Sequence, residues 1–97
     1  MVQRREYKIS IRFNFIEVKT VIIDPHYEEK HAESVSDEII LELVQKLDGN
    51  VMVPEDVNGP YSYFAEDKME LNGKFYKLIW LLEENQIYIG VINAYRR

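Results

Sequence analysis

The sequence of 97 residues contains no cysteine. Disulfide bonds, thiolate metal sites and a cysteine nucleophile are therefore excluded. Long apolar runs are also missing, since none approaches the roughly 18 residues that a membrane-spanning helix needs. Basic residues are scarce relative to acidic ones, 12 against 17, and the formal net charge of −5 argues against nucleic-acid binding through bulk positive charge.

Only three prolines and four glycines interrupt the chain, and no internal repeat, low-complexity tract or linker is visible. Residues 1–97 are therefore predicted to form a single domain. Apolar residues make up 46% of the chain and charged residues 30%, which is the composition of a globular protein rather than a disordered one. No signal-like apolar segment follows the first residues, so a cytoplasmic location is expected.

The N-terminal half is predicted to contain two strands followed by two helices. Residues 6–13 alternate apolar and polar side chains, and residues 15–23 are rich in β-branched residues. Whether these two strands form a hairpin or one bent strand stays open. An Asp-Pro pair predicts a short helix over residues 25–33. Residues 36–48 carry apolar side chains at helical spacing, which predicts the main amphipathic helix.

The C-terminal third is predicted to be an antiparallel meander. Asn72-Gly73 is a strong hairpin signal because a type I′ turn needs positive φ at both positions, and a second turn is expected at 84–85. If the strands on either side of Asn72-Gly73 paired without irregularity, Asp67 would lie on the apolar face opposite Leu78. A bulge or an early strand end is therefore expected near Asp67. The predicted strands occupy residues 61–71, 74–83 and 86–96.

These elements predict an α+β domain: an antiparallel sheet of four or five strands with the main helix and the short helix before it packed on one face. The opposite face mixes aromatic, charged and glycine positions, and a binding surface is expected there. Lys68 and Lys77 should be cross-strand neighbours on this mixed face, with Phe64 and Tyr88 nearby. Basic groups beside aromatic rings suit a nucleotide or single-stranded nucleic acid, and a solvated, ion-paired face is the alternative interpretation.

The two histidines do not form a zinc-binding pair. His26 and His31 are five residues apart, which on a helix separates them by about 140°. No metal site and no cofactor is predicted. His26 can share a helix face with Lys30, as a base beside a phosphate clamp or as an ordinary surface pair. Arg96, at the end of the last strand, can bind a phosphate bidentately or be a solvated terminal charge.

The order of elements resembles the small RelE/BrnT-like endoribonuclease toxins, whose wider group includes colicin-D-like nucleases. Two stretches carry the likeness: residues 26–40, which begin His-Tyr-Glu-Glu-Lys-His and end Val-Ser-Asp-Glu-Ile-Ile, and the closing strand, residues 88–97. The resemblance covers about residues 20–97. It implies metal-independent RNA cleavage, in which the ribose 2′-oxygen attacks the adjacent phosphate and cations stabilise the developing charge.

The resemblance also implies roles for individual residues. His26 or His31 would be the acid/base, Lys30 and Arg96 would hold the phosphate, and Tyr95 or Tyr88 would be a stacking platform for a base.

Two functions follow as hypotheses. The first is a non-enzymatic interaction domain that forms a homodimer or binds a protein partner through the mixed face or a strand edge. The alternative is a metal-independent endoribonuclease of the toxin–antitoxin type, for which the histidines and Arg96 must converge in one cleft. RNA is the partner that this alternative requires, whereas a membrane or DNA partner is not expected.

Overall fold

A computed structural model describes residues 3–97 of the chain as one six-stranded sheet curled into half a barrel. The strands are β1 (Arg5–Phe13), β2 (Ile16–Ile23), β3 (Asp56–Asn58), β4 (Tyr61–Leu71), β5 (Lys74–Glu83) and β6 (Tyr88–Arg96). Their order in the sheet is β1-β2-β6-β5-β4-β3. Between β2 and β3 lie a 3₁₀ turn, Pro25–Tyr27, and two short helices, α1 (Glu28–His31) and α2 (Asp37–Gln45).

The predicted fold class is wrong in two respects. The sheet has six strands rather than four or five, and it is mixed rather than antiparallel because β2 runs parallel to β6. The helices have only four and nine residues, so the expected main amphipathic helix over 36–48 does not exist as such, and the domain is mostly β. α2 begins as expected after Ser36, whose hydroxyl accepts from the N–H of Ile39 at 3.3 Å. It ends at Gln45, because the N–H groups of the next residues bond three residues back in tight turns.

The parallel pair joins the N-terminal hairpin to the C-terminal meander. Residues 20–23 of β2 pair with residues 88–91 of β6. Such a pairing needs a long crossover, which the intervening helices, β3, β4 and β5 supply. No local signal in the sequence specifies it, because the choice depends on which edge of the meander the hairpin meets.

Two tight turns close the β1–β2 and β4–β5 hairpins. The φ angles are 51° and 65° at Asn14-Phe15, and 54° and 79° at Asn72-Gly73, all positive as a type I′ turn requires. The hairpin predicted at Asn72-Gly73 is confirmed. For the N-terminal strands, which the sequence left undecided, the structure shows a hairpin.

A β-bulge lies at Asp67 and Lys68, where two residues of β4 oppose Lys77 of β5. The irregularity predicted near Asp67 is therefore confirmed. The bulge also changes which side chains of β4 share a face. Phe64 lies buried opposite Trp80, and not on the mixed face where the regular register placed it.

The register between β5 and β6 differs from the predicted one by two residues next to the turn and by three beyond an irregularity at Ile92. A two-residue turn would pair Leu82 with Ile87, whereas Leu82 pairs with Ile89. The connection is longer than predicted, because residues 84–87 all lie outside the strands. Ile87 is consequently exposed rather than buried opposite Leu82.

The hydrophobic core lies between α2 and one face of the sheet. Ile40, Leu43 and Val44 of α2 are fully buried there. Phe13 packs edge-on against Trp80, with ring centroids 5.7 Å apart. Within residues 3–97, no helix has the length and apolar character needed to cross a membrane.

Candidate functional site

The face of the sheet opposite α2 carries a continuous apolar row across four strands. Ile22, Gly90, Leu81 and Tyr63 lie side by side on β2, β6, β5 and β4. All four are half-buried, whereas their neighbours along each strand point into the core. We call this surface the open face. It corresponds in position to the mixed face that the sequence predicts.

A groove of about 300 Å³ runs along the open face. Gly90 shapes it, because a Cβ atom at this position would lie 3.1 Å from Cδ1 of Leu81 and 3.5 Å from Cε2 of Tyr88. A Cβ atom would therefore require the side chain of Leu81 to shift by a few tenths of an ångström, whereas its distance from Tyr88 would be an ordinary contact. The groove walls include Tyr61, Tyr63, Tyr88, Arg4 and Asp24.

Two pairs of polar side chains at the groove contact each other within the protein. The hydroxyl of Tyr88 donates to the carboxylate of Glu83 at 2.6 Å. Burial, and then this hydrogen bond, raise the pKa of Tyr88 to about 12, so the ring stays neutral at physiological pH. Arg4 lies 3.9 Å from Asp24 at the rim. An apolar centre with aromatic rings and a rim of polar groups is the composition of a protein-binding surface.

The predicted binding residues do not form one site. Lys77 pairs with Tyr95 across β5 and β6, and Lys68 lies in the bulge opposite Lys77. Tyr88 lies at the other end of β6, beside Thr20 of β2. One end of the sheet therefore carries Lys68, Lys77 and Tyr95. Tyr88 lies in the groove at the opposite end.

The two histidines have different surroundings. Nδ1 of His26 lies 2.5 Å from the carboxylate of Glu29, and both side chains are well exposed. The ring of His31 stacks on Tyr95, with centroids 5.2 Å apart and planes inclined by 29°. Lys30 is exposed on α1. The structure thus brings together His31 and Tyr95 from the predicted set.

Arg96 lines a separate pocket of about 260 Å³. Lys74 and the serines Ser34 and Ser36 are among its other walls, and neither histidine is. The two cations and the hydroxyl groups suit an anion, whereas the carboxylate of Glu33, which lines the same pocket, opposes one. It does not provide the shared cleft of both histidines and Arg96 that the ribonuclease hypothesis requires.

Sequence reasoning missed a cluster of hydrogen bonds centred on Asp37. Its carboxylate accepts from Nε and Nη2 of Arg5 at 2.6 and 2.8 Å, from the hydroxyl of Tyr27 at 2.7 Å, and from the hydroxyl of Tyr7. These hydrogen bonds lower the pKa of Asp37 to about 2, and the bond from Arg5 has the largest effect. Burial and the bond to Asp37 raise the pKa of Tyr27. No local signal identifies the cluster, because its members are up to 32 residues apart.

In the part of the chain that the structure describes, no group of three or more histidine, aspartate or glutamate residues is placed to hold a metal ion. No family model, curated protein or solved structure matches the chain.

Proposed function

We propose that this chain is a non-enzymatic protein-interaction domain, and that its open face packs against the open face of a second copy. The observation that carries the proposal is the apolar row of Ile22, Gly90, Leu81 and Tyr63. An apolar sheet face is stable when it is packed against another layer. The longer helix, α2, supplies that layer on the opposite face, and on the open face His31 of α1 covers Tyr95 at one end of the sheet.

The charges around the row favour a second copy as the occupant. Glu6 and Lys8 of β1 lie on this face beside Ile22 and Thr20. Lys77 and Glu83 lie on it along β5. Because both signs are present, two copies related by a two-fold axis can place opposite charges together. Two such sheets would stack face to face, as the layers of a β-sandwich do.

Analytical ultracentrifugation across micromolar to millimolar concentrations tests the proposal. We expect the wild type to form a dimer. Leu81→Lys should be a monomer, because it places two like charges in the centre of the interface. Gln45→Lys adds the same charge on the exposed side of α2 and should remain a dimer, with circular dichroism confirming that both variants fold. A wild-type chain that stays monomeric throughout would overturn the proposal.

A second candidate function is metal-independent RNA cleavage, which the resemblance to RelE/BrnT-like toxins implies. One observation favours it: Arg96 and Lys74 line a single pocket with Ser34, and the N–H of Ser34 bonds to the carbonyl of His31 at 3.1 Å. Two cations can hold a phosphate there with a histidine close along the chain.

An RNA-cleavage assay in EDTA, with and without ribosomes, tests this second candidate. If the pocket is catalytic, His31→Ala and Arg96→Ala should each lose cleavage while remaining folded. His26→Ala is the matched control, because His26 is exposed and pairs with Glu29. Absence of wild-type cleavage under both conditions would reject the candidate.

A further inference from the structure

Five large apolar side chains are exposed at one end of the half-barrel. This is the end of the sheet at which β1 and β5 finish and β2, β4 and β6 start. The loop after α2 is held there by Asn14, whose side chain bonds to both the carbonyl and the N–H of Met52. The exposed side chains are Phe15, Val51, Val53, Val57 and Ile87.

A second groove, of about 370 Å³, lies at this end between the β1–β2 turn and β3. We call it the end groove. Asn14 and Ile16 form one wall, and Val57 belongs to the other. Phe64 and Leu82 reach its floor from the core. Because Phe64 and Leu82 are almost fully buried, a partner in the end groove would contact mainly its walls, such as Ile16 and Val57.

The strand that borders the end groove has a free outer edge. β3 is the last strand of the sheet and pairs with β4 along its other side. All three of its residues are exposed. An outer edge can pair with an added strand through its N–H and C=O groups, although at Val57 the added strand must displace the carboxylate of Asp56, which accepts from the Val57 N–H at 2.9 Å.

The charged side chains that line the end groove have one sign. Glu83 and Glu84 line the end groove, and neither lysine nor arginine does. A basic partner would therefore be attracted to this end, and an acidic one repelled.

Phe15 provides an independent observation. Its φ is +65°, a conformation that a bulky residue rarely adopts, and its side chain is 76% exposed. The type I′ turn requires this conformation, so the observation that points to binding is the exposed aromatic ring between Asn14 and Ile16 of the end groove.

We propose that the end groove binds an extended segment of a protein partner in which basic and apolar residues alternate. The segment would add a strand to the outer edge of β3. Its apolar side chains would contact Phe15 and Val57, and its basic side chains would pair with Glu83 and Glu84. The end groove meets the open face at Glu83, which belongs to both surfaces, and the two proposals are tested by different measurements.

Isothermal titration calorimetry with capped synthetic peptides tests the proposal. A peptide of alternating lysine and valine should bind, and one of alternating glutamate and valine should not. A third peptide keeps the lysine–valine sequence but carries N-methyl groups on alternate backbone nitrogens. We expect it to bind roughly tenfold more weakly, because strand pairing is blocked while charge and apolar surface are kept.

Matched variants locate the binding site. Glu84→Lys should weaken binding of the lysine–valine peptide roughly tenfold. Glu70→Lys makes the same charge change near the hairpin at the other end of the sheet and should have little effect. Val57→Ser should also weaken binding, and its exposed position makes loss of folding unexpected.

Three results would overturn the proposal: equal binding of the lysine and glutamate peptides, equal effects of Glu84→Lys and Glu70→Lys, or peptide-induced NMR shifts confined to the open face around Leu81. Failure of the open-face dimer would be seen in a different measurement, the oligomeric state of the wild type in analytical ultracentrifugation.

Discussion

The side chain of Asp37 joins three parts of the fold. Asp37 is the first residue of α2. Its carboxylate accepts hydrogen bonds from Arg5 and Tyr7 of β1 and from Tyr27 of the 3₁₀ turn. It is 15% exposed, so its bond to Arg5 is better shielded from solvent than an ordinary surface ion pair. This one carboxylate therefore holds the helical segment against the edge strand.

Protonation of Asp37 should make stability depend on pH. The pKa of Asp37 is about 2 in the folded protein, against 3.8 in the absence of its partners. A depressed pKa stabilises the fold above the unfolded-state value, and this contribution is lost as pH falls through the folded-state value. We expect a loss of about 2 kcal/mol between pH 5 and pH 2 from this group. Urea unfolding at a series of pH values measures it.

Asp37→Asn identifies the source of that pH dependence. The variant should be less stable at neutral pH by about 2 kcal/mol and should lose less stability on acidification than the wild type. Glu38→Gln is the control, since Glu38 is the exposed neighbour of Asp37. A variant that keeps the full acid-induced loss would assign it to other carboxylates.

At the scale of elements, turn residues specify the two hairpins. The turns Asn14-Phe15 and Asn72-Gly73 have the same signs of φ, but only the second has glycine at its second position. A residue with a Cβ is disfavoured in this region because it approaches the following carbonyl oxygen.

Opposite substitutions at the two turns should have opposite effects. Phe15→Gly should raise the free energy of unfolding by about 1 kcal/mol because it relieves positive-φ strain, and Gly73→Ala should lower it by about 1 kcal/mol. Chemical denaturation measures both. Loss of stability in Phe15→Gly would show that the phenyl ring makes a stabilising contribution larger than the strain.

The positions of most strands could be predicted from the sequence, whereas the pairing of the strands could be predicted only in part. Alternation and turn residues place β4 and β5 correctly, and the burial problem of Asp67 indicates the bulge. The β5–β6 register was wrong because the extent of the connection before Tyr88 has no strong turn signal. β3 was missed because it has three exposed residues and therefore no periodic pattern.

The candidate site was predictable to a similar extent. The sequence indicates a mixed sheet face and includes Tyr88 in it. The groove itself depends on Gly90 meeting Leu81 across a register that was predicted wrongly. Phe64 was misplaced on this face because the bulge at Asp67 was not carried through to the residues before it.

For the whole molecule, the last strand in the sequence is an inner strand of the sheet. β6 lies between β2 and β5 and pairs with both. The N-terminal hairpin therefore cannot join the sheet until the C-terminal residues are present. Contacts so distant in sequence slow folding relative to a local meander.

Truncation tests this central position of β6. A chain that stops after Gln86 should be unfolded, because both the hairpin and the meander lose their shared neighbour. A chain that stops after Tyr95 removes only the two terminal arginines and should remain folded. Heteronuclear NMR spectra distinguish the two outcomes, and a dispersed spectrum from the shorter chain would contradict the expected role of β6.

The burial of Trp80 has a practical consequence for all these measurements. It is the chain's one tryptophan, it is fully buried, and it stacks on Phe64 with ring centroids 5.6 Å apart. Its indole emission should therefore lie at short wavelength in the native protein and move to longer wavelength when water reaches the ring. The protein thus carries its own optical probe of core integrity, which can follow unfolding of each variant without an attached dye.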